Sequence, residues 1–373
     1  MPTPRTTMTP SRRTFLRASA VGGLAGALAY AGHSQDASAP PPATETGAEF
    51  ITVQTQAAIE SGLAHLSRFL SDDMPDRSSG SSVGIAALAG LALMAGGHQP
   101  GKGRYGRSVS RAVDFVLSAG AGPTPGLLAT DTTPGFRGQN TQAMYSHGFG
   151  CLFLSEVCGM LPDKARQKKV KDVLDQAVAY TVESRNKEGG WRYEARPPIA
   201  DVSVTVAQMM ALRAAKNAGV FVRKNVIDEG VIYIRGCQLP DGGFSYFKGQ
   251  GISMFARSAA AIVGLYSAGI YTGREIERGI GYLKQFLPPR PFGSREIPPQ
   301  HYYYGHYYAA LAMWTAGGEH WSQWFPAIRD ELLGRANKGV WNDNSPVNSQ
   351  AYATAMSLII LQLPNNYLPI LQK

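Results

Sequence analysis

Residues 201–205 read Asp-Val-Ser-Val-Thr and head a long apolar segment. A carboxyl at such a place has two readings. Desolvated in an apolar cavity, Asp201 would hold its proton to higher pH and serve as a general acid or polar anchor. At a helix start it would also be an ordinary N-cap. Ser203 and Thr205 divide in the same way, between ligand-binding hydroxyls and back-bonding to the helix. His147, in Tyr145-Ser146-His147-Gly148, is an acid–base candidate or a hydrogen-bonded core histidine. The stretch 301–308 reads His-Tyr-Tyr-Tyr-Gly-His-Tyr-Tyr. Tyr303 and Tyr304 could wall a cavity or pack between helices, and His306 is a third catalytic candidate. Arg257, Gln350 and Tyr352 complete the binding candidates, each near a predicted helix start. His301 and His306 are five apart and fall on different faces of a helix, so no metal pair is expected there. No metal site and no cofactor is expected elsewhere. Asp241, taken with Asp201 or Glu156, would suit a carbohydrate-active site, but the sequence supplies no carboxylate separation to test it.

These residues need elements to carry them, and the chain is periodic. A short turn recurs as Glu188-Gly189-Gly190-Trp191, Asp241-Gly242-Gly243-Phe244 and Lys338-Gly339-Val340-Trp341. Six residues before each aromatic stands Arg185, Gln238 or Arg335. The glycines allow the chain to reverse, the aromatic packs on the next helix start, and the long polar side chain stacks on it or caps a carbonyl. All six residues are read as structural. Apolar spacing is helical on both sides of each turn. Amphipathic segments at 59–70, 109–117, 170–182, 226–237, 276–287 and 324–333 alternate with apolar ones at 83–94, 144–160, 202–218, 255–268, 303–316 and 351–363. Gly159, Gly219, Gly269 and Gly317 close four of the apolar segments, at steps of 60, 50 and 48 residues, and suit left-handed C-caps. Six helical hairpins result. The first and last apolar helices lack the polar face of a solenoid cap. The expected fold is therefore all-α, a closed α/α toroid with apolar helices inside and amphipathic ones outside. Inner helices would all begin at one end of the ring, and the candidate residues would meet there, with the helix dipoles favouring an anionic group.

Of 373 residues, 44% are hydrophobic and 17% charged, ample for a core. The formal charge of +9 overstates the surface. Residues 1–31 hold Arg5, Arg12, Arg13 and Arg17 and no acid, and without them 32 basic residues face 27 acidic ones. No basic run with interleaved aromatics suggests nucleic acid. Residues 164–171 read as a solvated helix face. Ser11-Arg12-Arg13-Thr14-Phe15-Leu16-Arg17, followed by a weakly apolar Ala/Gly/Leu stretch, resembles a twin-arginine export signal. Residues 1–31 are expected to be that signal, 32–50 a Pro/Ala-rich tether, and 51–373 the toroid. The protein is expected to be exported, periplasmic or secreted, with no transmembrane span in the mature chain. Cys151, Cys158 and Cys237 are expected to be buried free thiols.

Gln238-x3-Gly242-x-Phe244 follows the Gln-x3-Gly-x-Trp repeat and resembles that of squalene–hopene and oxidosqualene cyclases; the other two copies carry Arg for Gln. The stretches 189–193, 201–205 and 209–212, with Tyr145-Ser146-His147-Gly148, look like exported prenyltransferase/squalene-oxidase-repeat proteins. The resemblance spans about residues 55–370 and implies the toroid of terpene cyclases and protein prenyltransferases. It does not carry their activities. The chain has no Asp-x-Asp-Asp acid motif, no Asp-x-Cys zinc motif, no Gly-Cys-Gly-Glu-Gln thioester and no Cys-His-Gly. The expectation is a protein that binds a hydrophobic, isoprenoid-like molecule or a partner protein in its cavity. The alternatives are a divergent cyclase or prenyltransferase with Asp201 as acid, and a carbohydrate-active toroid.

Overall fold

A computed structural model describes residues 47–71, 82–129, 143–289, 301–343 and 350–371. The expected signal and most of the expected tether lie outside them. The described residues form twelve α-helices, in order α1 Val53–Phe69, α2 Ser82–Ala95, α3 Gly106–Ala119, α4 Ala143–Val157, α5 Lys164–Ser184, α6 Val202–Asn217, α7 Lys224–Gly236, α8 Phe255–Ser267, α9 Arg274–Lys284, α10 Tyr302–Ala316, α11 Gly318–Arg335 and α12 Gln350–Gln362. Each predicted hairpin is present. The pairings near the turns are isolated bridges, such as Trp191 with Asp201 and Gln238 with Phe244.

Composition sorts the helices into two layers. The even-numbered ones are buried nearly all round: all but three residues of α6, and eleven of thirteen in α8, are inaccessible. A helix without a polar face has to be surrounded. The odd-numbered helices bury one stripe. In α5 this is Val170, Leu174, Ala177, Val178 and Thr181, while Lys168–Asp172 and Lys171–Asp175 pair on the solvent side. Around the inner layer α2 packs on α4, α4 on α6, α6 on α8, α8 on α10, α10 on α12, and α12 on α2. The ring is closed.

Closure depends on close backbone approach. At the seam Gln362 Nε2 donates to the Ala92 carbonyl at 3.1 Å, and Arg329 donates to the Phe50 carbonyl at 3.1 Å. The recurrent turn stitches the outer layer together. Gly189, Gly242 and Gly339 all have positive φ, at 85°, 91° and 74°. A Cβ on Gly189 would strike the Glu229 carbonyl of α7; on Gly242, the Arg278 carbonyl of α9; on Gly339, the Ala58 carbonyl of α1. Each turn thus lies against the next outer helix, and the third copy bridges the end of the chain to its beginning. The polar residues follow the same path: Arg185 Nε reaches Glu229 at 2.8 Å and Gln238 Nε2 the Glu275 carbonyl at 2.8 Å. Arg335 instead pairs with Glu331 of its own helix and lies over the Tyr302 ring.

The turn aromatics are locked by a hydroxyl one helix later. Thr205, Ser258 and Thr354 accept the backbone N–H of Trp191, Phe244 and Trp341 at 3.0, 2.8 and 3.2 Å. The indoles of Trp191 and Trp341 donate to carbonyls of the preceding outer helix, Thr181 at 2.7 Å and Leu332 at 2.8 Å. Buried N–H groups without such partners would be costly. Gly159, Gly219 and Gly269 have φ between 85° and 89°, as left-handed caps require, whereas Gly317, with φ 71° and ψ −167°, falls outside that region and serves at once as the N-cap of α11. Cys151, Cys158 and Cys237 are buried and form no disulfide among the described residues. Among the described residues no helix is long and apolar enough to cross a membrane.

Candidate functional site

The start of α6 is held between two turn loops. Asp201 N–H donates to the Trp191 carbonyl at 2.9 Å and Val202 N–H to the Tyr246 carbonyl at 3.1 Å. Asp201 is fully buried, and its Oδ1 accepts the Val204 N–H at 2.9 Å, so it is an N-cap. Its second oxygen is buried and accepts no hydrogen bond among the described residues. Arg192 Nε stands 3.9 Å away, beyond hydrogen-bond reach. Burial dominates and pushes the carboxyl up to about 6, against the opposing pull of the Val204 N–H, the nearby Tyr246 hydroxyl and Arg192. Cap and perturbed acid are thus the same residue: one oxygen serves the helix and the other is left over.

Tyrosines from separate elements surround it. The Tyr193 and Tyr246 hydroxyls meet at 2.6 Å. Tyr145 of α4 stands 6.1 Å from the Tyr193 ring and 6.4 Å from that of Tyr304 in α10. Tyr304 packs on Tyr308 at 4.7 Å. Burial and the Asp201 charge raise the Tyr304 and Tyr246 phenols, which stay neutral donors. Tyr352 of α12 lies near Tyr304 and Tyr307, and its phenol is raised by burial and by Asp343. Ser203 lies beside the Tyr304 hydroxyl. The Arg192 guanidinium lies over the rings of Tyr193 and Phe247, and that of Arg257 over Tyr246 at 5.7 Å. Tyr145, Asp201, Ser203, Arg257, Tyr304 and Tyr352 therefore gather at the end of the ring where the inner helices begin.

The histidines do not join them. His147 Nδ1 accepts the Leu128 N–H at 3.1 Å, so Nε2 carries the proton toward Thr181 Oγ1 of α5 at 2.8 Å. His306 is wrapped by Phe255, Tyr302 and Trp324. Burial pushes both imidazoles down to about 3, so both are neutral core residues. The reason is helical geometry: His147 is two residues from Tyr145 and His306 two from Tyr304, a rotation of about 200° to the opposite face. Thr205 is committed to the Trp191 lock. Tyr303 donates to the Asn342 carbonyl at 3.2 Å and lies edge-on to Tyr302, on the structural side. Gln350 is exposed at the first turn of α12. Cys151, close to His147, is pushed up to about 12 by burial and is no nucleophile. Among the described residues no group of three or more His, Cys, Asp or Glu could hold a metal ion.

Arg192, Tyr193, Tyr246 and Tyr308 were not among the sequence candidates. A register signal existed: Tyr193, Tyr246 and Asp343 each stand two residues after a turn aromatic.

The closed ring of six hairpins, with a polar and aromatic cluster at the inner helix starts, defines an α/α toroid. Solved structures share this fold. A type II terpene cyclase from Scytonema superposes with a TM-score of 0.54 at 14% identity, covering 85% of this chain and all of that one. An α-1,6-mannanase of Salegentibacter gives 0.58 at 8% identity, covering 84% and 99%. A cellobiose 2-epimerase from Spirochaeta thermophila gives 0.55 at 11%, covering 84% and 99%. The cyclase has also been solved with its substrate geranylgeranyl dihydroxybenzoate, and the mannanase with α-1,6-mannotriose. No protein-family model and no curated protein sequence matches the chain. Identities this low establish the fold and not the activity.

Proposed function

We propose that this protein holds a hydrophobic, isoprenoid-like small molecule within its ring, with the polar end of the ligand against Asp201. One observation carries the reading. A fully buried carboxyl oxygen has no partner at hydrogen-bond distance among the described residues, although the Tyr246 hydroxyl and the Arg192 guanidinium stand near it. Buried polar atoms are seldom left unsatisfied, and those that are mark places where a ligand or water completes the set. The tyrosine rings supply flat apolar contact around that oxygen, as a prenyl chain requires. A cyclase of the same fold, seen with a geranylgeranyl substrate, shows that such rings accommodate molecules of this kind.

A second reading has its own support. A carboxyl raised to about 6 keeps a substantial protonated fraction in mildly acidic solution, so Asp201 could protonate a bound alkene. In that case the protein is a divergent cyclase working without the Asp-x-Asp-Asp motif. The partner-protein reading is disfavoured, because the unsatisfied atom is enclosed. We also propose that residues 1–31 direct export by the twin-arginine route. Replacing Arg12 and Arg13 with lysine should then retain the protein in the cytoplasm; unchanged export would refute that route.

The test is to purify the exported form and identify co-purifying small molecules by native mass spectrometry and lipid extraction. Squalene and isoprenoid diphosphates are then offered, with mannotriose and cellobiose as controls. Retention of a prenyl lipid without turnover supports the binding protein. Turnover abolished by Asp201→Asn, with the fold intact, supports the enzyme. Binding of the sugars alone rejects both.

A further inference from the structure

Charge at the inner helix starts is not balanced. Arg257, in the first turn of α8, is half-buried over the Tyr246 ring, and its Nε is buried without a hydrogen-bond partner. Among the described residues it forms no ion pair; the groups that act on its charge are the phenols of Tyr246 and Tyr282, and desolvation lowers its affinity for the proton. Arg192 lies on the same side, against Tyr193 and Phe247. Its Nε is also buried and unbonded, and among the described residues the carboxylate paired with it is Asp201, at 3.9 Å. Arg192 thus has one long contact to a carboxylate, and Arg257 has none among the described residues. Other part-buried arginines use their heads: Arg185 and Arg335 pair with Glu229 and Glu331, and Arg111 and Arg278 donate to backbone carbonyls. A desolvated cation without a counter-ion is expensive, and nothing in the hydrogen bonding of the fold uses either Nε. The starts of α6 and α8 add their positive dipole ends to the same region.

We infer that Arg192 and Arg257 form an oxyanion subsite, so that the ligand is an amphiphile with a carboxylate or phosphate head and not a neutral hydrocarbon or alcohol. This rests on the proposed ligand cavity and names the head group that cavity takes. Arg257 supplies the uncompensated charge. Arg192, 3.9 Å from Asp201, can bridge the carboxyl and the ligand head, and Asp201 meets that head in its protonated form, as donor. Tyr246, under the Arg257 guanidinium and bonded to Tyr193 on which Arg192 lies, offers a neutral hydroxyl to the same group. The prenyl tail extends from there along Tyr145 and Tyr304.

The test measures binding of three matched probes to the purified protein: geranylgeraniol, geranylgeranic acid and geranylgeranyl phosphate, with inorganic phosphate as a fourth arm. The expected result is that at least one anionic probe binds about tenfold or more tighter than the alcohol. The tighter anion identifies the head. Arg257→Gln should bring anion binding down to the level of the alcohol and leave alcohol binding unchanged, while Arg257→Lys should keep part of the preference. Equal affinity for all three prenyl probes would overturn the oxyanion subsite and leave the hydrophobic cavity standing. Loss of all binding in Arg257→Gln with a lowered melting temperature would mean a structural arginine and would also overturn it. Binding of none of the prenyl probes would overturn the cavity reading together with the subsite, and inorganic phosphate binding alone would mean an anion site without a prenyl tail.

Discussion

Arg192 Nε and Asp201 Oδ2 face each other at 3.9 Å, close enough for attraction and too far for a hydrogen bond. The carboxyl is therefore governed by burial, and its affinity for the proton is raised from 3.8 to about 6. Native protein holds this proton where unfolded chain has lost it. The associated stability is complete below about pH 4 and disappears as pH rises through about 6. The rise is worth on the order of 3 kcal/mol. Asn retains an N-cap oxygen for Val204 and carries no charge. Asp201→Asn should thus be more stable than wild type above about pH 6, by up to about 3 kcal/mol, and equal to it near pH 4. Urea unfolding across that range measures the difference.

His147 and His306 have the opposite sign. Their folded values fall from 6.5 to about 3, so their contribution is present above about pH 6.5 and drains away as pH falls toward 3. At about pH 5 each should cost about 2 kcal/mol relative to neutral solution. His306→Phe suits the ring of Phe255, Tyr302 and Trp324 and should flatten the acid limb by that amount. A scan of melting temperature against pH would show it; an unchanged limb would mean that His306 is not buried neutral.

The Thr205–Trp191 lock predicts a graded loss. Thr205→Val keeps the shape and removes the acceptor of the Trp191 N–H, which should cost about 1–3 kcal/mol. Thr205→Ser should cost well under half as much. Ser258→Ala and Thr354→Val are expected to behave like Thr205→Val, because they hold Phe244 and Trp341 in the same way.

Two glycines with positive φ separate conformational cost from closure. A Cβ on Gly269 meets nothing within 4 Å, so Gly269→Ala should cost only the left-handed penalty, about 1 kcal/mol. On Gly339 the Cβ would meet Ser61 Cβ at 2.6 Å and the Ala58 carbonyl at 2.8 Å. Gly339→Ala should cost about 3 kcal/mol and loosen the α1–α12 seam. Hydrogen exchange at α1 would rise in the second variant and not in the first.

Much of the architecture was legible along the chain. Apolar segments with no polar face, glycines at fixed points after them and charged stripes between them are local patterns, and local patterns suffice to count hairpins and assign layers. The cluster was legible only in part. Asp201, Tyr145, Tyr304, Ser203, Arg257 and Tyr352 lie near helix starts, and a rule about starts finds them. The same rule also takes in His147 and His306, because a short window includes both faces of a helix. It misses Arg192 and Tyr246, which sit on the loops after the turns.

By itself the sequence determined the six-hairpin period, the inner and outer layers and the absence of the cyclase acid and prenyltransferase zinc motifs, because each is written in short local patterns and their recurrence along the chain. Tertiary structure alone decided that Gly339 meets Ala58, that Asp201 has one oxygen to spare, and that Arg257 lies over Tyr246 while Arg192 lies over Tyr193 and Phe247. Those relations depend on how far the ring turns at each hairpin. That rotation is set by side-chain packing between helices, and no stretch of sequence encodes it alone.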